Sequence, residues 1–182
     1  MGQYHKVVNL DKKEYLHPHE LGDGLKLMEF GASAMGTMTA LALLLACSNG
    51  RGGGDFHNTQ SKTKEGYPVN DVDPSAMELI GSWAGCRIAI VGDYAEDQDM
   101  EKQFHAGRIY TLCDDVVGLE DRQNWARSED NGDMDNWAWV LEVEEKDLYK
   151  NISPMMRALL ESSGEVVFSG SGWLDKKIAW GR

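Results

Sequence analysis

Gln3-Tyr4-His5-Lys6-Val7-Val8-Asn9, followed after a polar Asp11-Lys12-Lys13 by the segment Glu14 to His19, is the stretch from which the fold is read. Aromatic and β-branched residues suit a pleated, half-buried surface, so 3–9 reads as a strand. Asp11-Lys12-Lys13 is turn-like, and Glu14 to His19 returns as a second strand that Pro18, lacking an amide donor, brings to an end. The pair is a hairpin. Gly22-Asp23-Gly24 then breaks the chain.

Working outward, residues 32–47 read as a helix, apolar on nearly every side and so expected to be buried by its neighbours. From Met28 to Cys47 the only charge is Glu29. A membrane span needs roughly 20 predominantly apolar residues. The continuous apolar run, Ala40 to Cys47, is far shorter than that, so a core helix is the reading preferred to a membrane helix. Asn49-Gly50-Arg51-Gly52-Gly53-Gly54 stops the helix and opens a long polar loop over 50–73. Asp73-Pro74 offers a cap followed by proline at the first helical position, so a short helical turn is expected near 74–79.

Arg87-Ile88-Ala89-Ile90-Val91 is nearly continuous in β-branched residues and reads as a buried, central strand. Ile109 to Leu112 reads as a short strand and 114–136 as an acidic loop. Trp137-Ala138-Trp139-Val140-Leu141-Glu142-Val143 alternates cleanly, as a strand does. Ser153-Pro154 starts a second helix that Gly164 closes, and strand-like segments follow at Val166-Val167-Phe168 and between Trp173 and Trp180. The expected fold class is α+β: a largely antiparallel sheet packed with a buried helix and a second, C-terminal helix. The length of 182 residues suits one domain, 1–182.

Charge divides the chain unevenly. The net charge of −12 is supplied entirely by 93–147, since 1–92 carries −2 and 148–182 carries +2. Such a segment repels nucleic-acid phosphates and anionic lipid, so direct nucleic-acid or membrane binding through it is not expected. It attracts a basic protein face or a cation. A solvated surface that aids solubility is the plainer account of the same carboxylates. The opening Met1-Gly2-Gln3-Tyr4-His5-Lys6 has no signal-like apolar region, and Cys47, Cys86 and Cys113 have no metal-knuckle spacing. Reduced thiols in a cytoplasm are the expectation.

Several constellations invite chemistry. His17-Pro18-His19 places two imidazoles at i and i+2, and Asp55-Phe56-His57 repeats the spacing; with Asp93 these are candidate ligands for a divalent metal, Zn, Mn or Fe. H-x-H alone is common, and exposed polar residues explain it equally well. The glycine-rich 50–54 follows a helix rather than a strand, which does not fit a phosphate loop. Asp130-Asn131-Gly132-Asp133-Met134-Asp135-Asn136 resembles a calcium loop, but counted from Asp133 its fifth and sixth positions are Trp137 and Ala138, where an oxygen ligand and glycine are required. Ser82 sits one place early for a nucleophile elbow. Cys86 and Cys113 read as small buried apolar residues rather than nucleophiles. Trp125, Trp137, Trp139, Trp173 and Trp180 crowd the C-terminal half, as core residues or as interface anchors.

Gly2-Gln3-Tyr4, Val8-Asn9-Leu10-Asp11-Lys12-Lys13-Glu14-Tyr15-Leu16, Pro18-His19 and Gly24-Leu25-Lys26-Leu27 resemble a family of small proteins of bacteria and their phages. Gly81-Ser82-Trp83-Ala84-Gly85 and Gly92-Asp93-Tyr94-Ala95 carry the same resemblance, which covers residues 2–95. On that resemblance 2–95 is the shared scaffold, 96–147 an acidic excursion, and 148–182 a helix with strands. The resemblance implies a setting, a cytoplasmic accessory protein of a phage or mobile element, and no particular reaction. It leads one to expect Asp after Trp83-Ala84-Gly85, where this chain has Cys86; if that Asp were a ligand or catalytic group, this chain has lost it.

The functional expectation is therefore a non-enzymatic binding protein with no cofactor. Asp93, Glu96, Asp97, Asp99, Asp130, Asp133 and Asp135 supply charge, and Trp125 and Trp137 anchor. The partner is a basic host protein or complex, which a nucleic-acid mimic would block. The alternative is a metal-dependent hydrolase or nucleotide-handling enzyme built on His17, His19, Asp55, His57 and Asp93.

Overall fold

The protein, seen in a computed structural model, is described over residues 2–47, 78–100, 104–128, 137–162, 166–168 and 176–178. The glycine-rich loop, the turn expected from Asp73-Pro74, and the residues Asp55, His57, Asp130, Asp133, Asp135, Trp173 and Trp180 lie outside these segments.

The hairpin forms as read. Strand β1 (His5–Asn9) pairs antiparallel with β2 (Glu14–Leu16), Val8 opposite Tyr15. The Asn9 side-chain oxygen accepts the amides of Asp11 and Lys12, both at 3.0 Å, which closes the turn. Lys13 completes it at φ 52°. Beyond β2, Pro18–Leu21 is a single 3₁₀ turn, which Gly22 ends in the left-handed region at φ 70°. On the other side β1 pairs antiparallel with β3 (Ile88–Gly92). A two-residue strand β4 (Lys150–Asn151) runs parallel to β2, giving the order β3-β1-β2-β4. Strands β5 (Val166–Phe168) and β6 (Lys176–Ile178) form a separate antiparallel pair. The fold is α+β.

Alternation along β1 sends its residues into two cores. Val7, Leu16 and Ile88 face one, where helices α1 (Leu27–Gly31), α2 (Thr37–Leu45) and α5 (Ser153–Ser162) contribute Phe30, Leu44 and Leu159. Val8, Tyr15 and Val91 face the other, against Ile109 of α3 (Ala106–Leu112), Cys113 and Tyr149. Helix α4 (Val116–Arg127) lies beyond α3. Among the described residues no helix is long and apolar enough to cross a membrane.

The helix expected over 32–47 is shorter than read: α2 covers only Thr37–Leu45. It starts after Gly36, where a Cβ would stand 2.2 Å from an Asp23 carboxylate oxygen. Helix α2 buries Thr37, Ala40, Leu41 and Leu44, whereas Ala42 and Leu45 are exposed. Its last carbonyls are not left orphaned. Leu43 accepts from the Gly81 amide at 2.9 Å and Leu44 from that of Trp83 at 2.8 Å. Gly81 does this at φ +77°, with the Ala46 carbonyl 2.5 Å from where a Cβ would be. Trp83, fully buried, also donates its indole N–H to Glu14 at 2.7 Å, tying this turn to the hairpin.

Four expectations are corrected. Strand β3 is not central: among the described strands it is the sheet's edge, and Ile90 is 42% exposed. Its apolar run arises because Ile88 and Val91 enter opposite cores, not because strands flank it on both sides. Residues 109–112 are helical. Ala106, Ile109 and Cys113 repeat at helical spacing and are buried together, and this face overrides the β-branched composition. Most of the supposed acidic loop is α4, whose first turn Asp115 caps by accepting the Gly118 amide at 2.8 Å. The alternating Trp137–Val143 segment is a 3₁₀ helix over Ala138–Glu142. A strand needs a ladder, and here Gln123 of α4 instead donates its side-chain amide to the carbonyls of Val140 and Val143, at 3.2 and 3.0 Å.

Asp23 has no exposed side-chain surface. It accepts the Thr37 amide at 2.7 Å at the start of α2 and binds the Lys176 ammonium of β6. Removing one partner of a buried pair strands the other charge. Asp23→Ala should therefore lower unfolding stability by about 3–5 kcal/mol in urea titrations, and Asp23→Ala combined with Lys176→Met should recover part of that loss.

Candidate functional site

Two clefts flank the sheet. The first, about 530 Å³, runs along β3 between Leu10, Met100 and Phe104. Arg87 borders it: its guanidinium is bound by Asp11 and stands 4.8 Å from the Phe104 ring centre.

The acidic residues proposed for partner binding gather where β3 ends. The Asp93 amide donates to the Tyr4 carbonyl at 2.9 Å, and its carboxylate accepts the Tyr4 amide at 3.0 Å. Beyond it, a 3₁₀ turn (Asp97–Asp99) is held by Asp99, whose carboxylate accepts the Glu96 amide at 2.9 Å. Glu96, Asp97 and Asp99 are all exposed. Asp97 meets the His105 imidazole at 3.1 Å, and that hydrogen bond holds its carboxyl below the ordinary range.

The tryptophans also come together. Trp125, 48% exposed on α4, meets Trp137 edge-on at 5.3 Å, and Trp137 stacks on Trp139 at 6.4 Å. The Arg108 guanidinium lies 5.0 Å from the Trp139 ring centre and its charge also acts on Asp97. Arg108 stands on α3, the helix that begins just after His105, the partner of Asp97.

The second cleft, about 490 Å³, opens on the opposite side of β1 around Lys6. Sequence reasoning missed it. The signal was a lysine inside a strand of buried residues, at the same parity as Val8. Lys6 is 4% exposed. Its ammonium donates to the Cys113 carbonyl, stands 3.8 Å from Asp114, and lies over the rings of Tyr15 and Tyr110 at 5.2 and 4.6 Å. Asp114 is shared with Arg122, at 2.7 Å. Burial lowers the Lys6 pKa. Burial also raises Tyr15, and pushes Tyr110 and the Cys113 thiol up to about 12. These phenols and the thiol stay protonated near neutral pH, which suits hydrogen bonding and leaves no activated nucleophile among them.

His17 and His19 do approach, their rings edge-on at 5.8 Å. Asp93 does not join them, since β1 lies between β2 and the strand that Asp93 follows. Among the described residues no group of three or more His, Cys, Asp or Glu side chains is placed to hold a metal ion. Cys47, Cys86 and Cys113 are free thiols; Cys113 is buried, Cys86 partly so and Cys47 exposed.

No protein-family model, curated protein or solved structure matches the chain.

Burial, and then the charge of Lys6, lower the His17 pKa from 6.5 to about 4. Between those values the unfolded chain binds a proton that the folded chain refuses. His17 therefore supports folding above about pH 6.5, and that support is lost as pH falls towards 4. His17→Gln should remove on the order of 2 kcal/mol of the stability change between pH 7 and pH 4.5 in denaturant titrations.

Proposed function

We propose that this chain is a binding protein that engages a basic protein partner through the acidic turn after β3 and the adjoining tryptophan ladder. The observation that carries this reading is that exposed Glu96, Asp97 and Asp99 follow Asp93 at the end of β3, while Trp125, Trp137 and Trp139 pack together with Arg108 against Trp139. Exposed carboxylates set orientation and the rate of encounter with a positive surface. The exposed indole of Trp125, backed by half-buried Trp137 and Trp139, supplies apolar contact area at little conformational cost.

The resemblance to small phage and bacterial proteins supplies the setting. In it the partner is a host protein whose positive groove ordinarily takes nucleic acid, and the acidic rim occupies that groove in its place. A binding role also accords with the Lys6 cleft, where burial keeps the thiol and phenols in their unreactive forms.

Affinity capture from host cytoplasm tests the reading. The chain should retain a basic protein and release it as salt is raised towards about 1 M, where the Debye length falls to about 3 Å. Glu96→Lys with Asp97→Lys should abolish capture without altering thermal unfolding by more than a few degrees, because both side chains are exposed. Undiminished capture by that variant overturns the reading. Trp125→Ala should weaken it by about tenfold.

A further inference from the structure

The ladder between β1 and β3 fixes which backbone groups of β3 remain open. Leu10 donates its amide to the Arg87 carbonyl and Asp93 donates to the Tyr4 carbonyl, both at 2.9 Å. Antiparallel pairing alternates, so 87, 89, 91 and 93 turn their amides and carbonyls towards β1. Ile88, Ile90 and Gly92 turn theirs away. The Gly92 carbonyl accepts the Ala95 amide at 3.1 Å. Both backbone groups of Ile88 and Ile90 face outward with no strand beside them among the described residues, whereas Gly92 is buried beside the Gln3 side chain. Proteins ordinarily blunt such an edge with a proline, a bulge or an inward-pointing charge. This edge has none of these: its residues are Ile88-Ala89-Ile90-Val91-Gly92, and Ile90 is 42% exposed beside the 530 Å³ cleft.

The geometry points to β3 as a docking edge: an extended, basic segment of the partner protein adds to it as a further strand. This deepens the reading above and rests on it. Charge selects the occupant. Asp93, Glu96, Asp97 and Asp99 stand at one end of the edge, and 88–100 contains no lysine or arginine. The nearest cation on the strand, Arg87, is bound by Asp11, and the His105 imidazole is bound by Asp97. A segment with alternating apolar residues would place one side chain over the cleft beside Ile90 and lysine or arginine against the acids. A second copy of this chain fits less well, because each edge would bring its own acidic turn against one arginine already engaged.

The test uses the full chain and a fluorescent peptide of about nine residues alternating valine and lysine, long enough to span β3. Two twins carry N-methyl groups, one on the odd and one on the even residues, so that only one twin loses the donors that face β3. A third twin replaces lysine with glutamate. The parent peptide should bind, one methylated twin should bind about tenfold more weakly than the other, and the glutamate twin should not bind. In amide exchange followed by NMR, Ile88 and Ile90 should exchange quickly in the free chain and slow on peptide addition, while Ala89 and Val91 are slow throughout. Ile90→Pro removes an amide that only the open edge uses, and should weaken the parent peptide by about tenfold.

Equal binding of the two methylated twins overturns strand addition, whether or not Ile90→Pro folds. So does failure of the parent peptide to bind, or slow exchange at Ile88 and Ile90 in the free chain, which would mean that the chain covers its own edge. If Glu96→Lys with Asp97→Lys abolishes binding while methylation does not, the basic-partner reading stands and strand addition falls. If methylation matters and charge reversal does not, the edge docks peptides and the basic character of the occupant is wrong.

Discussion

A carboxylate with no access to water has to be neutralised, and Asp23 is where that requirement organises this molecule. Thr37 gives it an amide, Lys176 an ammonium, and Gly36 the space. Lys176 also donates to Ser33 at 2.9 Å, so the cation is held from two directions. Through this one group the turn after the hairpin, the start of α2 and the small β5–β6 sheet are set against each other. The core of Leu21, Phe30, Leu44 and Leu160 then closes beside it. Apolar burial supplies the driving force, but it is non-directional. The charged pair specifies which segments meet.

The second organising feature is the division of the sheet into two faces of unlike chemistry. One is mainly apolar, with Val7, Leu16 and Ile88, and packs on helices. The other carries Lys6 beneath Tyr15, Tyr110 and the Asp114–Arg122 pair. A buried cation of this kind is a poor source of net stability. It does determine what its surroundings hold: it disfavours a proton on His17 and keeps a polar cleft in the middle of an otherwise apolar packing.

The N-terminal hairpin was legible because its signals are local. The hairpin followed from Pro18, from the polar turn and from parity along 3–9. The Ser153-Pro154 start of α5 and the strand at 166–168 were legible for the same reason. The middle of the chain misled because composition competed with placement. Ile109-Tyr110-Thr111 favours a strand in isolation, yet the helix buries Ile109 with Ala106 and Cys113. Carboxylates over 114–121 suggested a loop, although Asp115 was a recognisable cap with Leu119 and Ala126 following at helical spacing. The tryptophan alternation was real, but a ladder partner cannot be seen in a sequence. Trp125 and Trp137 do meet, as anchors of one surface would. The pairing of Asp97 with His105 depends on the packing of α3 against the turn before it, which no spacing rule reveals.

The connectivity of the main sheet also sets an order of events during synthesis. Strand β2 is flanked by β1, made just before it, and by β4 at Lys150–Asn151, while the other edge of β1 waits for Ile88–Gly92. Lys176 is 153 residues from Asp23. An emerging chain therefore carries the β1–β2 hairpin with one side unpaired until Lys150–Asn151 has been made, and the carboxylate of Asp23 without its cation for longer still. Closing such long loops is slow compared with forming the hairpin itself. Strands β1 and β2 are thus among the last of the main sheet to be fully enclosed, and a nascent chain spends that interval as a candidate for chaperone binding.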